Sequence, residues 1–202
     1  MQHYRLKIAN IKNLNKTKYE FYFSLLPRGM QEDVDRFKQE EDRHRTLLGK
    51  IILMNYLKKY TRFSLDDIQK DYYGKPNISD GSFYFNISHS KDLVVCAFSK
   101  LKPIGVDIEM VESNINIEEF FAIFSDDELE LIKKSNDKSY TFYRLWTMKE
   151  AILKAYGKGF SSNPLDIELD LKNNSAKFKE KAYRLYIPML KFGYICSVAI
   201  SS

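Results

Sequence analysis

Two cysteines, one tryptophan and three histidines among 202 residues leave little room for thiol or imidazole clusters. Cys96 and Cys196 each sit inside an apolar, strand-like run (93–98 and 194–200), so both read as buried free thiols. Without C-x-x-C spacing, neither a disulfide framework nor a structural zinc site is available. Long apolar runs are missing too: the longest, 51–57, is interrupted by Asn55 and falls far short of the ~20 residues that span a bilayer. The first ten residues carry Arg5 and Lys7 but no apolar stretch of signal-peptide length. We therefore expect a soluble, cytoplasmic protein that does not contact a membrane.

Charge of one sign is scarce as well. Thirty-two Lys and Arg against 27 Asp and Glu give a net charge of +5. That suits a phosphate-bearing ligand or an acidic protein partner. A nucleic-acid binder predicts a contiguous basic stripe with exposed stacking aromatics. Here acids interleave throughout, so no nucleic-acid partner is expected. The apolar share of 44% suffices for a sizeable core, and the 14 Tyr and 14 Phe fall mostly in apolar patterns that favour packing.

What the chain does have is concentrated in Pro103-Ile104-Gly105-Val106-Asp107-Ile108-Glu109. Its β-branched residues and period of two predict a strand. Ile104, Val106 and Ile108 face one way, and Gly105, Asp107 and Glu109 the other. Two carboxylates on one face roughly 7 Å apart repel by about 2 kcal/mol at an effective dielectric near 20. They need water, a proton or a hard cation such as Mg²⁺. A second stretch, 142–156, has helical spacing with a Gly157-Lys158-Gly159 stop. It places Lys154 one turn after Glu150 on one face. On its own that pair is an ordinary surface ion pair, and the acidic strand is an ordinary wet edge.

Elsewhere the pattern predicts a strand at 3–9, an undecided segment at 20–26 and one helical stretch from 31 to 60. A short helix should start at 65–70, with Ser64 as its N-cap. A turn follows at Tyr73-Gly74-Lys75-Pro76. Strands at 83–88 and 93–99, joined by a loop at 89–92, would form a three-stranded meander with the acidic strand. The second half offers helices at 118–124 and 137–156, a capping box at Ser125, and strands at 165–171, 183–187 and 194–200. Each half thus supplies a long helix and several strands, with no strict sequence repeat. This predicts an α+β fold of two similar lobes related by a pseudo-twofold, each a small, mostly antiparallel sheet with a long helix. The boundary would fall at residues 1–102 and 103–202.

Five motifs occur in order: Glu41-Asp42-Arg43-His44-Arg45-Thr46-Leu47-Leu48-Gly49, Gly74-Lys75-Pro76, Phe85-Asn86-Ile87-Ser88-His89-Ser90, Gly105-Val106-Asp107-Ile108-Glu109, and Trp146-Thr147-Met148-Lys149-Glu150-Ala151 followed by Lys154. Together they closely resemble the 4′-phosphopantetheinyl transferases, in particular the two-lobed type that activates surfactin synthetase. The resemblance covers roughly residues 36–162. It implies transfer of 4′-phosphopantetheine from coenzyme A to a serine of an acyl or peptidyl carrier protein, releasing adenosine 3′,5′-bisphosphate. Such carriers serve nonribosomal peptide, polyketide or fatty acid biosynthesis. By the same resemblance Asp107, Glu109 and Glu150 would hold Mg²⁺, and Glu150 or a metal-bound water would be the base. Lys154 would neutralise phosphate charge. Arg45 and His89 would contact the 3′-phosphate of coenzyme A, and Lys75 and Ser88 would be further ligand contacts. Lys149 would contact phosphate or serve as scaffold. His44 reads as a packing residue and Trp146 as a core anchor. Phe120, Phe121 and Phe124 would line a carrier groove or pack in the core.

One segment departs from the family. Where relatives are rich in basic residues, this chain reads Arg28-Gly29-Met30-Gln31-Glu32-Asp33-Val34-Asp35-Arg36, with three acids. A monomer is expected, because both lobes lie in one chain. The competing reading is a non-catalytic coenzyme A-binding module, against which the retention of Asp107, Glu109, Glu150 and Lys154 weighs.

Overall fold

The computed structural model describes residues 4–158, 162–190 and 193–202. Gly159 of the expected helix stop and the start of the expected first strand at His3 lie outside those residues. In the first half the chain runs through β1 (Arg5–Asn10), α1 (Lys16–Ser24), α2 (Arg28–Asp35), α3 (Glu40–Tyr60), β2 (Ile68–Lys70), β3 (Pro76–Ile78), β4 (Tyr84–Ser90) and β5 (Leu93–Ser99). The second half continues with β6 (Ile104–Met110), α4 (Asp126–Lys134), α5 (Lys138–Tyr156), β7 (Ile167–Asp170), β8 (Ser175–Phe178), β9 (Lys181–Tyr186) and β10 (Tyr194–Ser201). Among the described residues, no helix is long and apolar enough to cross a membrane.

The fold is α+β, and every strand pairing is antiparallel. One sheet has the order β1-β5-β4, another the order β6-β10-β9-β8-β7, and β2-β3 form a separate hairpin. Each larger sheet sets the first strand of its half beside the last, and the last beside the one before it. In each half the long helix precedes a short hairpin, β2-β3 in one and β7-β8 in the other. Both hairpins are entered through a 3-10 turn, Leu65–Asp67 capped by Ser64 and Pro164–Asp166 capped by Asn163. The repeat is therefore one of topology, carried by strand and cap positions rather than by residue identity.

Period-two alternation sets the packing. Val94, Cys96 and Phe98 of β5 join Leu47, Leu48 and Ile51 of α3 in one core. On the opposite face Leu93, Val95 and Ala97 meet Ile104, Val106 and Ile108 of β6 and Cys196, Val198 and Ile200 of β10. The two sheets are thus pressed together over an apolar seam, and both cysteines are buried free thiols. The other face of β6 meets α5 so closely that a Cβ on Gly105 would lie 2.0 Å from the Ala151 carbonyl oxygen and 2.4 Å from the Ala155 nitrogen.

Several local expectations are corrected. Segment 31–60 is two helices. A single straight one would hold residues 33 and 50 about 25 Å apart, whereas Asp33 accepts from Lys50 Nζ at 3.0 Å and Val34 is fully buried. Segment 20–26 is mostly helix, opened by Asn15 as its cap. Strand β4 runs on through His89 and Ser90, which pair with Val94 and Leu93. The expected three-stranded meander is broken, because β6 pairs with β10 and not with β5. The helix expected at 65–70 is a 3-10 turn followed by β2, and that at 118–124 is a 3-10 run, Ile117–Ile123.

Helix α5 is anchored by its caps and by one buried ion pair. Asp137 accepts from the Tyr140 amide at the start, and Gly157 ends it in the left-handed region at φ +86°. Lys149 Nζ is 2.8 Å from Glu128 of α4 and donates to the Pro164 carbonyl at 3.0 Å, with its side chain 1% exposed. Glu128 also accepts from the Ser125 amide, completing the expected capping box of α4.

Two stability predictions follow from this packing. Gly105→Ala forces α5 away from β6 and should cost at least the upper part of the roughly 1–3 kcal/mol typical of overpacking. Lys149→Ala leaves the mostly covered Glu128 with only the Ser125 amide as partner and should cost up to roughly 3 kcal/mol, the lower end of the range for broken buried pairs. Both are read from the midpoint of urea unfolding; a midpoint within error of the parent would contradict the packing described.

Candidate functional site

The two sheets meet edge to edge as well as face to face, and the site grows out of that edge. β4 ends one sheet and β6 begins the other, so each presents unpaired backbone groups. They are bridged by side chains rather than by a ladder. Asn86 Oδ1 accepts from the Val106 amide at 2.9 Å, and Ser90 Oγ accepts from the Met110 amide at 3.1 Å. Between these bridges Ser88 Oγ donates to Asp107 Oδ1 at 2.9 Å, and Ser90 Oγ donates to Glu109 Oε2 at 2.7 Å. The polar residues of β4 at every second position thus orient the acidic residues of β6.

From α5, Lys154 Nζ reaches the same point, 2.6 Å from Asp107 Oδ1 and 3.1 Å from Ser88 Oγ. Glu150, one turn earlier, joins Ser88, His89, Asp107, Glu109, Trp146 and Lys154 around a cleft of about 240 Å³. Asp107 is 3% exposed, and its second oxygen, Oδ2, is buried without a hydrogen-bond partner. Burial pushes Glu109 up to about 7; the Asp107 and Glu150 charges add to this, while Ser90 and Lys154 oppose it. Burial likewise raises Glu150 above the usual carboxylate range, with Lys154 opposing and Asp107 adding. The cleft therefore holds more negative charge than its single lysine balances.

The structure brings Ser88, His89, Asp107, Glu109, Glu150 and Lys154 together around one cleft. Trp146, expected as a core anchor, packs against the core around Phe142 and edge-on to Phe120 at 5.4 Å, and it also forms a wall of the cleft. His89 lies on the strand and its surface reaches solvent. The atoms crowded around its ring, then the charges of Arg45 and Lys154, hold its imidazole below the ordinary value. Arg45 stands behind it, with one guanidinium nitrogen 2.7 Å from Asp42 and the other donating to the Lys91 carbonyl at 2.7 Å.

Other candidates are not brought into the cleft. Lys149 is buried against α4. Lys75 Nζ instead donates to the Lys154 backbone carbonyl, in a separate cavity with Tyr84 and Pro103. In the 28–36 segment Arg28 pairs with Glu32 at 3.5 Å, and Gln31 donates to the Phe23 and Leu26 carbonyls. His44 packs on Tyr19 at 5.2 Å, as a structural residue should. Phe124 is buried against Phe142, whereas Phe121 is 38% exposed under Lys133. Among the described residues no group of three His, Cys, Asp or Glu converges as a ready-made metal cage. The roles of Asn86 and Ser90 were missed from sequence, although the N-x-S-x-S spacing within a strand would have aligned them with Ser88.

Comparison with known proteins places the chain in a family. The model described as the 4′-phosphopantetheinyl transferase superfamily matches residues 103–197, and that described as 4′-phosphopantetheinyl transferase, N-terminal, matches residues 13–101. The chain is 38% identical over 158 residues to 4′-phosphopantetheinyl transferase Sfp of Bacillus subtilis (strain 168), covering 76% of this chain and 69% of that protein. It is 32% identical over 201 residues to 4′-phosphopantetheinyl transferase gsp of Aneurinibacillus migulanus, covering 95% and 82%. A third relative, 4′-phosphopantetheinyl transferase HetI of Nostoc sp., is 35% identical over 136 residues, covering 63% and 57%. With relatives matched along most of their length and the two models spanning both halves, the chain belongs to the 4′-phosphopantetheinyl transferase family.

Proposed function

We propose that this protein transfers 4′-phosphopantetheine from coenzyme A to a serine of an acyl or peptidyl carrier protein. The observation that carries the reading is the cleft where β4, β6 and α5 converge, with Asp107 Oδ2 buried and unpartnered beside Glu109, Glu150 and Lys154. A buried carboxylate oxygen without a donor is costly, and a cation is the partner that such a set of carboxylates suits. Asp107, Glu109 and Glu150 are the residues that would hold Mg²⁺, an ion that needs only one or two carboxylates when phosphate oxygens and waters complete its shell. Bound there, it would neutralise charge gathering on the pyrophosphate.

The chain's own groups account for the rest. Lys154 offers a cation to the phosphate oxygens, and His89, with Arg45 behind it, lies on the rim where the 3′-phosphate would sit. Glu150 is suited to general-base work by its place on the cleft wall beside Lys154, where burial raises its proton affinity above that of an exposed carboxylate. The serine oxygen forms a bond to the phosphorus that carries pantetheine. Its proton passes to Glu150, and the bond to the nucleotide's phosphate breaks, releasing adenosine 3′,5′-bisphosphate. Positioning and charge stabilisation supply most of the acceleration in such transfers.

The same reading divides the chain into lobes 1–102 and 103–202, supported by the abutting family matches and by the sheet membership of the strands. It makes the protein a cytoplasmic monomer serving carrier proteins, with no nucleic-acid or membrane partner. The mild positive charge would steer an acidic carrier towards it.

An unmodified carrier protein incubated with this protein, coenzyme A and Mg²⁺ should gain the mass of one phosphopantetheine group. The gain should vanish with a chelator, and Glu150→Gln should lower kcat by roughly 10²–10⁴-fold. Coenzyme A binding by calorimetry without any mass gain would support the binding module instead.

The raised Glu109 also fixes a pH dependence. Its folded pKa of about 7 exceeds the ordinary 4.5, so between those values the folded state binds more protons than the unfolded one. Stability of the metal-free protein should therefore be fullest below about pH 4.5, as far as this group contributes, and decline up to about pH 7. Millimolar Mg²⁺ should flatten that decline, since it favours the ionised carboxylate. Thermal melts across pH 5–8 test this, and a decline untouched by Mg²⁺ counts against a cation at Glu109.

A further inference from the structure

Lys75 belongs to a motif shared with the family, yet its ammonium group lies outside the cleft. The turn that carries it is closed by Asp71. The Asp71 amide donates to the Lys75 carbonyl at 3.0 Å, and Asp71 Oδ1 accepts from the amides of Tyr73 and Lys75, each at 2.9 Å. Gly74 completes the turn at φ +81°, a conformation that favours glycine. So fixed, Lys75 extends to the C-terminal end of α5, where Nζ donates to the Lys154 carbonyl oxygen at 2.5 Å. Its stem lies against Gly157, where an added Cβ would meet Lys75 Cδ at 3.2 Å.

Helix ends leave their last four carbonyls without intrahelical donors, and a cation there is favoured by the helix dipole. The Lys154 carbonyl is one of those four. Lys154 is also the residue whose ammonium reaches Asp107 and Ser88. Both ends of this one residue are therefore held by side chains from before residue 100, the carbonyl by Lys75 and the ammonium by Ser88. Burial pushes Lys75 down to about 8, against the pull of Asp71, as befits a side chain tucked under the helix end.

We infer that Lys75 is a positioning residue for the transfer reaction: by capping the Lys154 carbonyl, it fixes the last turn of α5 and so aims the Lys154 ammonium into the cleft. The inference rests on the proposed function, and it separates Lys75 from the residues that touch coenzyme A. A ligand contact and a positioning residue differ in what their loss changes. Removing a contact weakens binding in ground and transition states alike, whereas loosening Lys154 removes stabilisation realised in the transition state.

The experiment compares the parent, Lys75→Met, Lys75→Arg, Lys154→Ala and the Lys75→Met/Lys154→Ala double variant. Lys75→Met should lower kcat by about tenfold and leave the Kd for coenzyme A within about twofold. Lys75→Arg keeps a cationic donor for the carbonyl and should restore part of the loss. In the Lys154→Ala background, Lys75→Met should add almost nothing, because both act through one group. Amide exchange at residues 156–158 should also quicken in Lys75→Met. Should the methionine variant fail to fold, Lys75→Gln carries the same comparison. A weakened Kd with unchanged kcat, or a full loss repeated in the Lys154→Ala background, would overturn the inference in favour of direct contact with coenzyme A. A parent that transfers nothing sinks the function reading alone. The exchange measurement then still decides the link between Lys75 and the helix end, with unchanged protection counting against it.

Discussion

The close approach of α5 to β6 governs this molecule. A helix backbone lies against a strand with no side chain between them, and Gly105 is the residue that permits it: any Cβ would overlap the backbone at Ala151 and Ala155. The consequence is chemical as well as mechanical. Asp107 and Glu109 follow Gly105 on the same strand face, and Glu150 and Lys154 flank the points where the helix touches it. Four charged groups are thereby forced into one cleft by a contact made of backbone. With an alanine at 105, the helix would have to lift, and the lysine that now lies 2.6 Å from Asp107 would lift with it. The glycine in the acidic motif therefore sets the distance at which its carboxylates can work.

A second constraint comes from the free edges of the two larger sheets. A strand edge left bare invites pairing with another chain, and here the edges of β4 and β6 face each other. A continuous ladder would have merged them into one sheet. Instead, Asn86, Ser88 and Ser90 reach across, two of them satisfying β6 amides and two orienting its carboxylates. Side-chain bridging keeps the two sheets distinct and leaves room at the edge for a cleft. The topological repeat supplies the matching helices on either side, α3 behind one sheet and α5 behind the other.

Much of this was legible in the residues. The period-two pattern of 104–109 gave both faces correctly, Ser125 and its partner Glu128 announced a helix start, and Gly157 its end. Helical spacing put Lys154 one turn after Glu150, but only the family resemblance linked it to the acidic strand, where it meets Asp107. What failed did so for tertiary reasons. His89-Ser90 has loop composition, yet it is strand because it pairs with Val94 and Leu93 of β5 while Ser90 is engaged across the edge. The hairpin strands β3 and β8 are short and poor in β-branched residues, so no local pattern marks them. Lys149 sits in a motif whose Trp146, Glu150 and Lys154 line the cleft, whereas the Gly74-Lys75-Pro76 turn lies outside it. Motif membership does not reveal direction, and each is instead turned onto a partner distant in sequence, Glu128 and the Lys154 carbonyl.

The electrostatics of the cleft explain why so much structure is spent on so few groups. One oxygen of Asp107 has two donors, Lys154 and Ser88, while the other has none. Glu109 has Ser90 but lies beside two further carboxylates, which is why burial and like charge together lift it towards neutrality. In a folded core such an imbalance would be eliminated by selection of apolar residues of similar shape, since a buried ionic group seldom adds net stability. It is tolerated where the missing partner arrives with the substrate. Lys154 offsets some of the surplus negative charge, and on the proposed function it would turn from Asp107 to an incoming phosphate. On the proposed function, the surplus of carboxylate charge would draw a cation to the free protein, and the bound cation would in turn favour a polyanion beside Lys154.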